Sequence, residues 1–308
     1  VNALSLLAVP NVSEGRDHPG VQEIARAFAA GDRTRLLDVH LDADHHRAVL
    51  TLAGAPGSLA LALAAGVAEA LQRIDIGDGR GQHPHIGAVD VVPVVYLSDA
   101  LRGAACAEAL VAAEEIGALG VPVFLYGALT SGRTRAELRR GGVKALAERM
   151  RAGELTPDFG PSMPHPTGGA VLVAARAPLV AFNLELAPPA TIADARRIAA
   201  LIREGGDQGL PGVRAIGVEL HRRGAAGGSP NREPRARDRP IAQVSLNVER
   251  SAEVPLRAVV DAVRAHAPLA RAELVGLAPA AALEGFPADV PLPGFDPARH
   301  LIERALKL

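Results

Sequence analysis

The chain has 308 residues, with 33 Lys and Arg set against 34 Asp and Glu for a formal net charge of -1. Such a balance gives no electrostatic reason to expect a nucleic acid or an anionic membrane as partner and points towards small-molecule substrates. With 48% hydrophobic residues the length suits two domains better than a single core, and no apolar run is long enough to span a bilayer.

The single cysteine, Cys106, sits in an Ala-rich helical stretch and cannot close an internal disulfide. Together with the lack of a basic signal-peptide start over Val1 to Pro10, this predicts a cytoplasmic location.

Leu4 to Val9 reads as a strand stopped by Pro10-Asn11, followed by a polar loop, Asn11 to Arg16. Val21 to Ala30 has helical spacing. Arg35 to Leu41 and Arg47 to Leu52 read as strands, close enough across Asp42 to His46 to form an antiparallel hairpin. An Ala/Leu helix from about Ser58 to Ile74 leads into Gly79-Arg80-Gly81-Gln82-His83-Pro84-His85-Ile86-Gly87-Ala88-Val89-Asp90 and the strand Val91 to Leu97. Ala104 to Ile116 is read as helix, Val121 to Tyr126 as strand and Arg133 to Arg151 as one charged helix.

A Gly- and Pro-rich loop, Pro157 to Gly169, precedes strands at Val171 to Ala174 and Leu179 to Leu186, with a domain boundary near Pro178. From Leu179 onward the order reads as strand, helix, strand, strand, helix, strand. A capping box at Thr191 and Asp194 opens the first helix, whose buried stripe is Ile192, Ala195, Ile198, Ala199 and Ile202. The last four are strands Val213 to Leu220 and Ile241 to Val248, helix Val254 to Ala265 and strand Ala272 to Leu277. The expected fold is therefore α/β (α+β) in two subdomains, 1-178 and 179-308. The first is a mixed sheet with helices, the second a ferredoxin-like βαββαβ unit, with a ligand cleft between them. Arg222 to Pro240 reads as a solvated hairpin loop, the alternative being that its arginines hold a polyanionic substrate tail.

Chemistry concentrates in the polar loops Asn11 to Arg16, Asp42 to Arg47 and Gly79 to Asp90. Pro84 fixes the backbone next to His83, which holds that imidazole at the mouth of a strand. On Ile241 to Val248 the side chains of Gln243, Ser245 and Asn247 alternate with apolar ones and share a face. They form either a solvated edge or a set of amide and hydroxyl groups able to read a heterocycle or a carboxylate.

Seven segments taken together are similar to a known family. They are Val9-Pro10-Asn11-Val12-Ser13-Glu14-Gly15, His46-Arg47-Ala48-Val49, His83-Pro84-His85-Ile86-Gly87-Ala88-Val89-Asp90, Phe124-Leu125-Tyr126-Gly127, Pro157-Asp158-Phe159-Gly160-Pro161, Leu179-Val180-Ala181-Phe182-Asn183 and Ala242-Gln243-Val244-Ser245-Leu246-Asn247. Their order and spacing resemble the formiminotransferase domain family, glutamate formimidoyltransferase of histidine breakdown, over nearly the whole chain. The resemblance implies a homodimer of two-subdomain chains with a tetrahydrofolate tunnel between the subdomains. It also implies transfer of a formimino group between N-formiminoglutamate and tetrahydrofolate, with tetrahydrofolate as substrate and carrier and no metal.

By that resemblance His83 is the general acid and base, a task an imidazole titrating near neutrality can perform. The adduct is cationic, so Asp38 and Asp90 are expected to stabilise it. Arg47 and Arg176, with Arg214 behind them, are expected to grip substrate carboxylates. Asn183, Gln243, Ser245 and Asn247 join the substrate contacts. Gly160, Pro161, Ser162, Met163, Pro164, His165, Pro166, Thr167, Gly168, Gly169 and Gly212 are expected to line the folate site.

Three positions depart from the family pattern: His40 where Asp is usual, His46 where Asn is usual, and His85 where Arg follows His-Pro. The first reading keeps folate and glutamate with these three histidines among the substrate contacts. A second is a metal-dependent enzyme using His40, His45, His46, His83, His85, Asp42 and Asp44. A third is a folate-binding or assembly protein without turnover. His18, His221, His266 and His300 read as ordinary structural or exposed histidines, and His165 is either structural or a ligand contact.

Overall fold

The computed structural model describes residues 6-78, 85-220 and 240-307. The expected acid and base, His83, and residues 221-239 of the arginine-rich stretch lie outside the described residues. The chain divides into two compact units, Val1–Ala177 with Leu306–Leu308, and Pro178–Ala305.

In the first unit, β1 (Leu6–Ala8) and β2 (Asn11–Val12) both pair with β4 (Arg47–Gly54) on one side and β5 (Val89–Val95) on the other. They are one strand position interrupted at Pro10, which has no N–H to give to a ladder. Two bonds carry the sheet past the break, Val9 N–H to Pro93 O and Leu50 N–H to Pro10 O, each 3.0 Å. Asn11 and Val12, read in sequence as loop, are therefore strand. β3 (Thr34–Asp42) forms the expected antiparallel hairpin with β4. β7 (Val171–Arg176) lies parallel to both β5 and β6 (Val123–Leu125), which completes a seven-stranded mixed sheet.

Helices α1 (His18–Phe28), α2 (Leu59–Arg73) and α3 (Arg102–Ala118) cover one face of this sheet. Ile24, Phe28, Leu63, Val67 and Ile116 pack there against Leu6, Leu50, Leu52, Val92, Val94 and Val173. On the opposite face, over β5, β7 and β6, lie α4 (Arg135–Arg139) and α5 (Gly142–Arg151). Their Leu138, Leu146 and Met150 join Ile86, Val91, Phe124 and Leu172 in a second cluster. Covered on both sides, β5 is buried at every residue, which is why its sequence runs apolar with little alternation.

The single helix expected over Arg133 to Arg151 is two. Thr134 and Glu137 form a capping box that starts α4, and Gly141 and Gly142, with φ of 81° and 69°, turn the chain at the N-terminus of α5. Two successive left-handed residues cannot continue a right-handed helix, and glycine adopts them without steric cost.

The second unit runs β8 (Val180–Leu186), α6 (Ile192–Ile202), β9 (Val213–Leu220), β10 (Ile241–Val248), α7 (Leu256–Arg264) and β11 (Leu269–Val275). The sheet order is β11-β8-β10-β9 with every pair antiparallel, the ferredoxin-like arrangement read from the element order. The Thr191 and Asp194 capping box closes in both directions, and of the expected stripe Ala195, Ile198, Ala199 and Ile202 are buried, while Ile192, at the first turn, is only partly covered. Short helices α8 (Pro297–His300) and α9 (Ile302–Leu306) end the chain.

Candidate active site

Residues opposite one another across a ladder share a face. In the first unit Asp38 faces Thr51, His40 faces Val49, Asp42 faces Arg47, and Asn11 faces both Val49 and Val91. The face that carries the α4 and α5 cluster over β5, β7 and β6 thus turns polar over β3, β4 and β2. Asp38, His40, Arg47 and Thr51 share this surface. Arg176 opposes Val95 and so lies on the same face of β7, donating from Nη1 to the Ala177 carbonyl at 3.0 Å. The Thr51 hydroxyl is buried and has no hydrogen-bond partner among the described residues. Alternation along β4 could have singled it out; its neighbours drew attention instead.

The β3-β4 turn is locked to the loop after β2. Asp42 Oδ1 accepts from the His45 N–H at 2.9 Å, and its Oδ2 meets His45 Nδ1 at 2.6 Å and Arg47 Nε at 3.5 Å. Burial opposes the charge on Asp42, yet the His45 hydrogen bonds and the positive neighbours outweigh it and hold the carboxyl at about 2, below its usual 3.8. Arg16 Nε donates to the Ala43 carbonyl at 3.1 Å, and a Cβ on Gly15 would stand 2.2 Å from the Asp42 carbonyl. His46 holds the turn in a left-handed conformation, φ 54°, with its Nδ1 3.3 Å from Glu14 Oε1 and 3.4 Å from the Gly15 nitrogen.

Beside this junction is a hollow of about 230 Å³ lined by Ser13, Glu14, His46, Arg73, Ile74, Asp75, Ile76 and His85. A narrower recess adjoins it, bounded by Asn11, Val12, Ser13, His46, Arg47, His85 and Asp90. Of the sequence candidates, His46, Arg47, His85 and Asp90 are brought together here. Arg73 and Asp75 were missed, because residues at the end of an amphipathic helix carry no signal of a neighbouring cavity.

Asp90 is almost fully buried and both of its oxygens are engaged. Oδ1 accepts from the Ile86 N–H at 2.9 Å, and Oδ2 pairs with Arg139 Nη2 of α4. Ser13 Oγ donates to the Gly87 carbonyl at 2.7 Å, which ties the segment from the other side.

The Pro157 to Gly169 loop is held by backbone. Asp158 accepts from the Leu125 N–H at 2.8 Å and pairs with Arg133 at 2.7 Å, and Val123 bridges to Phe159. Gly160 and Gly169 sit where a Cβ would meet the Val121 and Ile86 carbonyls at 2.3 and 2.1 Å, so close packing of the chain on itself accounts for both glycines. His165 pairs through its backbone with Gly169, and its Nδ1 accepts from the Gly168 N–H at 2.9 Å, which places the ring proton of the neutral form on Nε2. Thr167 Oγ1 lies 3.4 Å from the same Nδ1. Pro161, Ser162, Met163 and Pro166 are exposed and Pro164 is half-buried.

In the second unit Gln243, Ser245 and Asn247 lie on the face opposite α6 and α7. Gln243 opposes Glu185, and Ser245 opposes Asn183. Ser245 Oγ donates to Asn183 Oδ1 at 2.8 Å, and Asn183 Nδ2 donates to Glu273 at 2.9 Å. Gln243 is 0% exposed, and neither amide atom has a partner among the described residues. Arg214 is exposed and forms ion pairs of 3.3 Å with Glu204 and with Glu249. The Gly212 N–H donates to Glu204 at 3.0 Å; that bond comes first among the interactions that hold the Glu204 carboxyl below its usual range, with Arg214 and Arg250 adding to it.

Among the described residues no three His, Cys, Asp or Glu side chains gather into a metal-holding group; His45 faces Asp42 and His46 faces Glu14.

Comparison with known proteins bears on what these surfaces do. Residues 5-176 match the N-terminal subdomain of the formiminotransferase domain. The chain is 33% identical over 284 residues to glutamate formimidoyltransferase of Streptococcus pyogenes serotype M1, covering 89% of each. It is 31% identical over 286 residues to the enzyme of the same name from Thermoplasma acidophilum, covering 89% of this chain and 88% of that one. It is also 35% identical over 293 residues to formimidoyltransferase-cyclodeaminase of Sus scrofa, where 89% of this chain spans 50% of the longer protein. Matched over more than half its length by the domain and over nearly nine tenths by whole relatives, the chain belongs to the formiminotransferase family and is a transferase.

Proposed function

We propose that the chain transfers a formimino group from N-formiminoglutamate to tetrahydrofolate. The observation that carries this reading is the similarity, over 89% of the chain, to two proteins named glutamate formimidoyltransferase. In the reaction a folate amine attacks the amidine carbon and forms a C–N bond. The tetrahedral adduct then breaks its bond to the glutamate nitrogen. One proton leaves the attacking nitrogen and one reaches the departing nitrogen.

His83 performs both proton transfers, in the His-Pro segment whose next residue, His85, lines the hollow of the first unit. Asp38 and Arg47, on the polar sheet face, supply a carboxylate for the cationic adduct and a guanidinium for a substrate carboxylate. Arg176, Arg214, Asn183, Ser245, Asn247 and Gly212 complete the substrate and folate contacts, with the exposed part of the loop from Gly160 to Gly169. Gln243 is fully buried, its donor and its acceptor both unmatched among the described residues, so a tetrahydrofolate ring does not reach it as the chain stands, and Ser245 and Asn247, partly exposed on the same face, make the contacts instead. The protein works as a homodimer in the cytoplasm, a location the lone cysteine suits.

The test is a direct assay of formimino transfer with the unmodified protein and with His83→Ala. A fall of roughly 100-fold or more in kcat at unchanged melting temperature is expected. No transfer by the unmodified protein would overturn the reading, and full activity in the variant would remove His83 from it. Sedimentation of the purified chain checks the dimer, which a monomer at micromolar concentration would refute.

A further inference from the structure

Arg139 is 49 residues from Asp90 in sequence and lies outside every segment that carries the family resemblance, yet its guanidinium meets the Asp90 carboxylate. Their side chains are 16% and 4% exposed. Burial on this scale makes the pair matter, because removing one partner leaves a charge with little water to take its place.

The surroundings indicate what the pair holds. The other Asp90 oxygen accepts the Ile86 N–H, so one carboxylate ties the start of the His85 segment to its own strand and to α4. Leu138, next to Arg139, is 0% exposed and packs in the cluster that contains Ile86, also 0%. Arg149 of α5 donates to the Glu137 carbonyl at 2.9 Å and so satisfies the end of the five-residue α4. The strand, the Ile86 turn and the short helix are thus fastened at one carboxylate, and His85 projects from that fastening into the hollow.

We infer that Arg139 is a positioning residue: through Asp90 it fixes the Ile86–Asp90 segment and so sets the placement of the His85 imidazole that precedes it. The inference rests on the transfer reaction proposed above for its kinetic consequence. It stands on the Arg139–Asp90–Ile86 geometry for its structural one.

Arg139→Ala, Arg139→Lys and Asp90→Asn are compared with the unmodified chain in steady-state transfer, thermal melting and hydrogen exchange at the Ile86 amide. Misplaced reacting groups lower kcat by about 10- to 100-fold in Arg139→Ala, while KM for either substrate moves by less than about 3-fold. Lysine, which offers a single-point cation, recovers part of the loss. Ile86 exchanges faster in Arg139→Ala and in Asp90→Asn. A role confined to stability would lower the melting temperature and leave kcat per folded molecule unchanged; that result overturns the inference, as does unchanged exchange at Ile86. Should Arg139→Ala fail to fold, Arg139→Lys and Asp90→Asn decide on the same criteria. If the unmodified protein shows no transfer, the reaction is wrong, and exchange at Ile86 alone decides whether Arg139 holds the segment.

Discussion

Asp42 and His45 stand 2.6 Å apart with side chains 7% and 4% exposed, and the pair fixes the turn that carries His46 and Arg47 into the first unit's polar surface. The Asp42 carboxyl is held at about 2 against the usual 3.8, so its ionised form contributes stability that is fully present above about pH 4 and is lost as pH falls towards 2. The shift corresponds to about 2 kcal/mol. Acid unfolding followed between pH 5 and 1.5 should show this loss, and Asp42→Asn should be less stable at pH 7 with a flatter profile below pH 4. A variant profile superimposable on that of the unmodified protein would show that the pair does not contribute.

The start of α2 depends on a carboxylate from another helix. Glu108 of α3, 4% exposed, accepts from the Gly57, Leu59 and Ala60 N–H groups at 2.5, 2.6 and 2.6 Å, in place of the local cap that Ser58 does not supply. Removing it strands three donors at a helix end. Glu108→Ala should cost about 3 kcal/mol by denaturant titration, and Glu108→Gln less, since one acceptor survives. Equal midpoints for both variants and the unmodified protein would refute this.

Gly15 is pressed against the β3-β4 turn, where a methyl group would lie 2.7 Å from both the nitrogen and the carbonyl oxygen of Arg47. Gly15→Ala should separate the loop from the turn and shift His46 and Arg47. About a 10-fold or larger fall in kcat/KM is expected, because a displacement near 1 Å at reacting groups has that scale of effect. Retained catalytic efficiency would mean that the junction does not shape the site.

Gln243 carries an amide into the core at a cost in stability. Replacing a buried amide that lacks partners with an apolar group of similar size is neutral or stabilising. Gln243→Leu should therefore melt at or above the temperature of the unmodified protein, with KM for tetrahydrofolate within about 3-fold of its value. A lower melting temperature would show instead that the amide is held by hydrogen bonds that leucine cannot make.

Local patterns made much of this architecture legible. The β3-β4 hairpin, the Thr191 capping box and the βαββαβ order follow from neighbours in sequence, and the alternation of Gln243, Ser245 and Asn247 fixed their common face. What alternation could not show is that Gln243 is sealed while Asn247 is only partly covered, since burial depends on what packs above the strand. Asn11 and Val12 looked like loop because their strand character comes from partners around Val49 and Val91. The helix break at Gly141-Gly142 was written in the residues, but the amphipathic pattern on either side masked it. His46 occupies a left-handed position, which His tolerates better than most non-glycine residues, so the turn places a backbone demand on that residue besides any chemical one.

The glycine pair between α4 and α5 leaves the Asp90 fastening on a piece of chain that gives the core one fully buried side chain, Leu138. A change in that strap loosens the hold on a buried carboxylate while the Leu146 and Met150 packing of α5 stays in place, so the His85 segment is anchored by a part of the chain that can shift by itself.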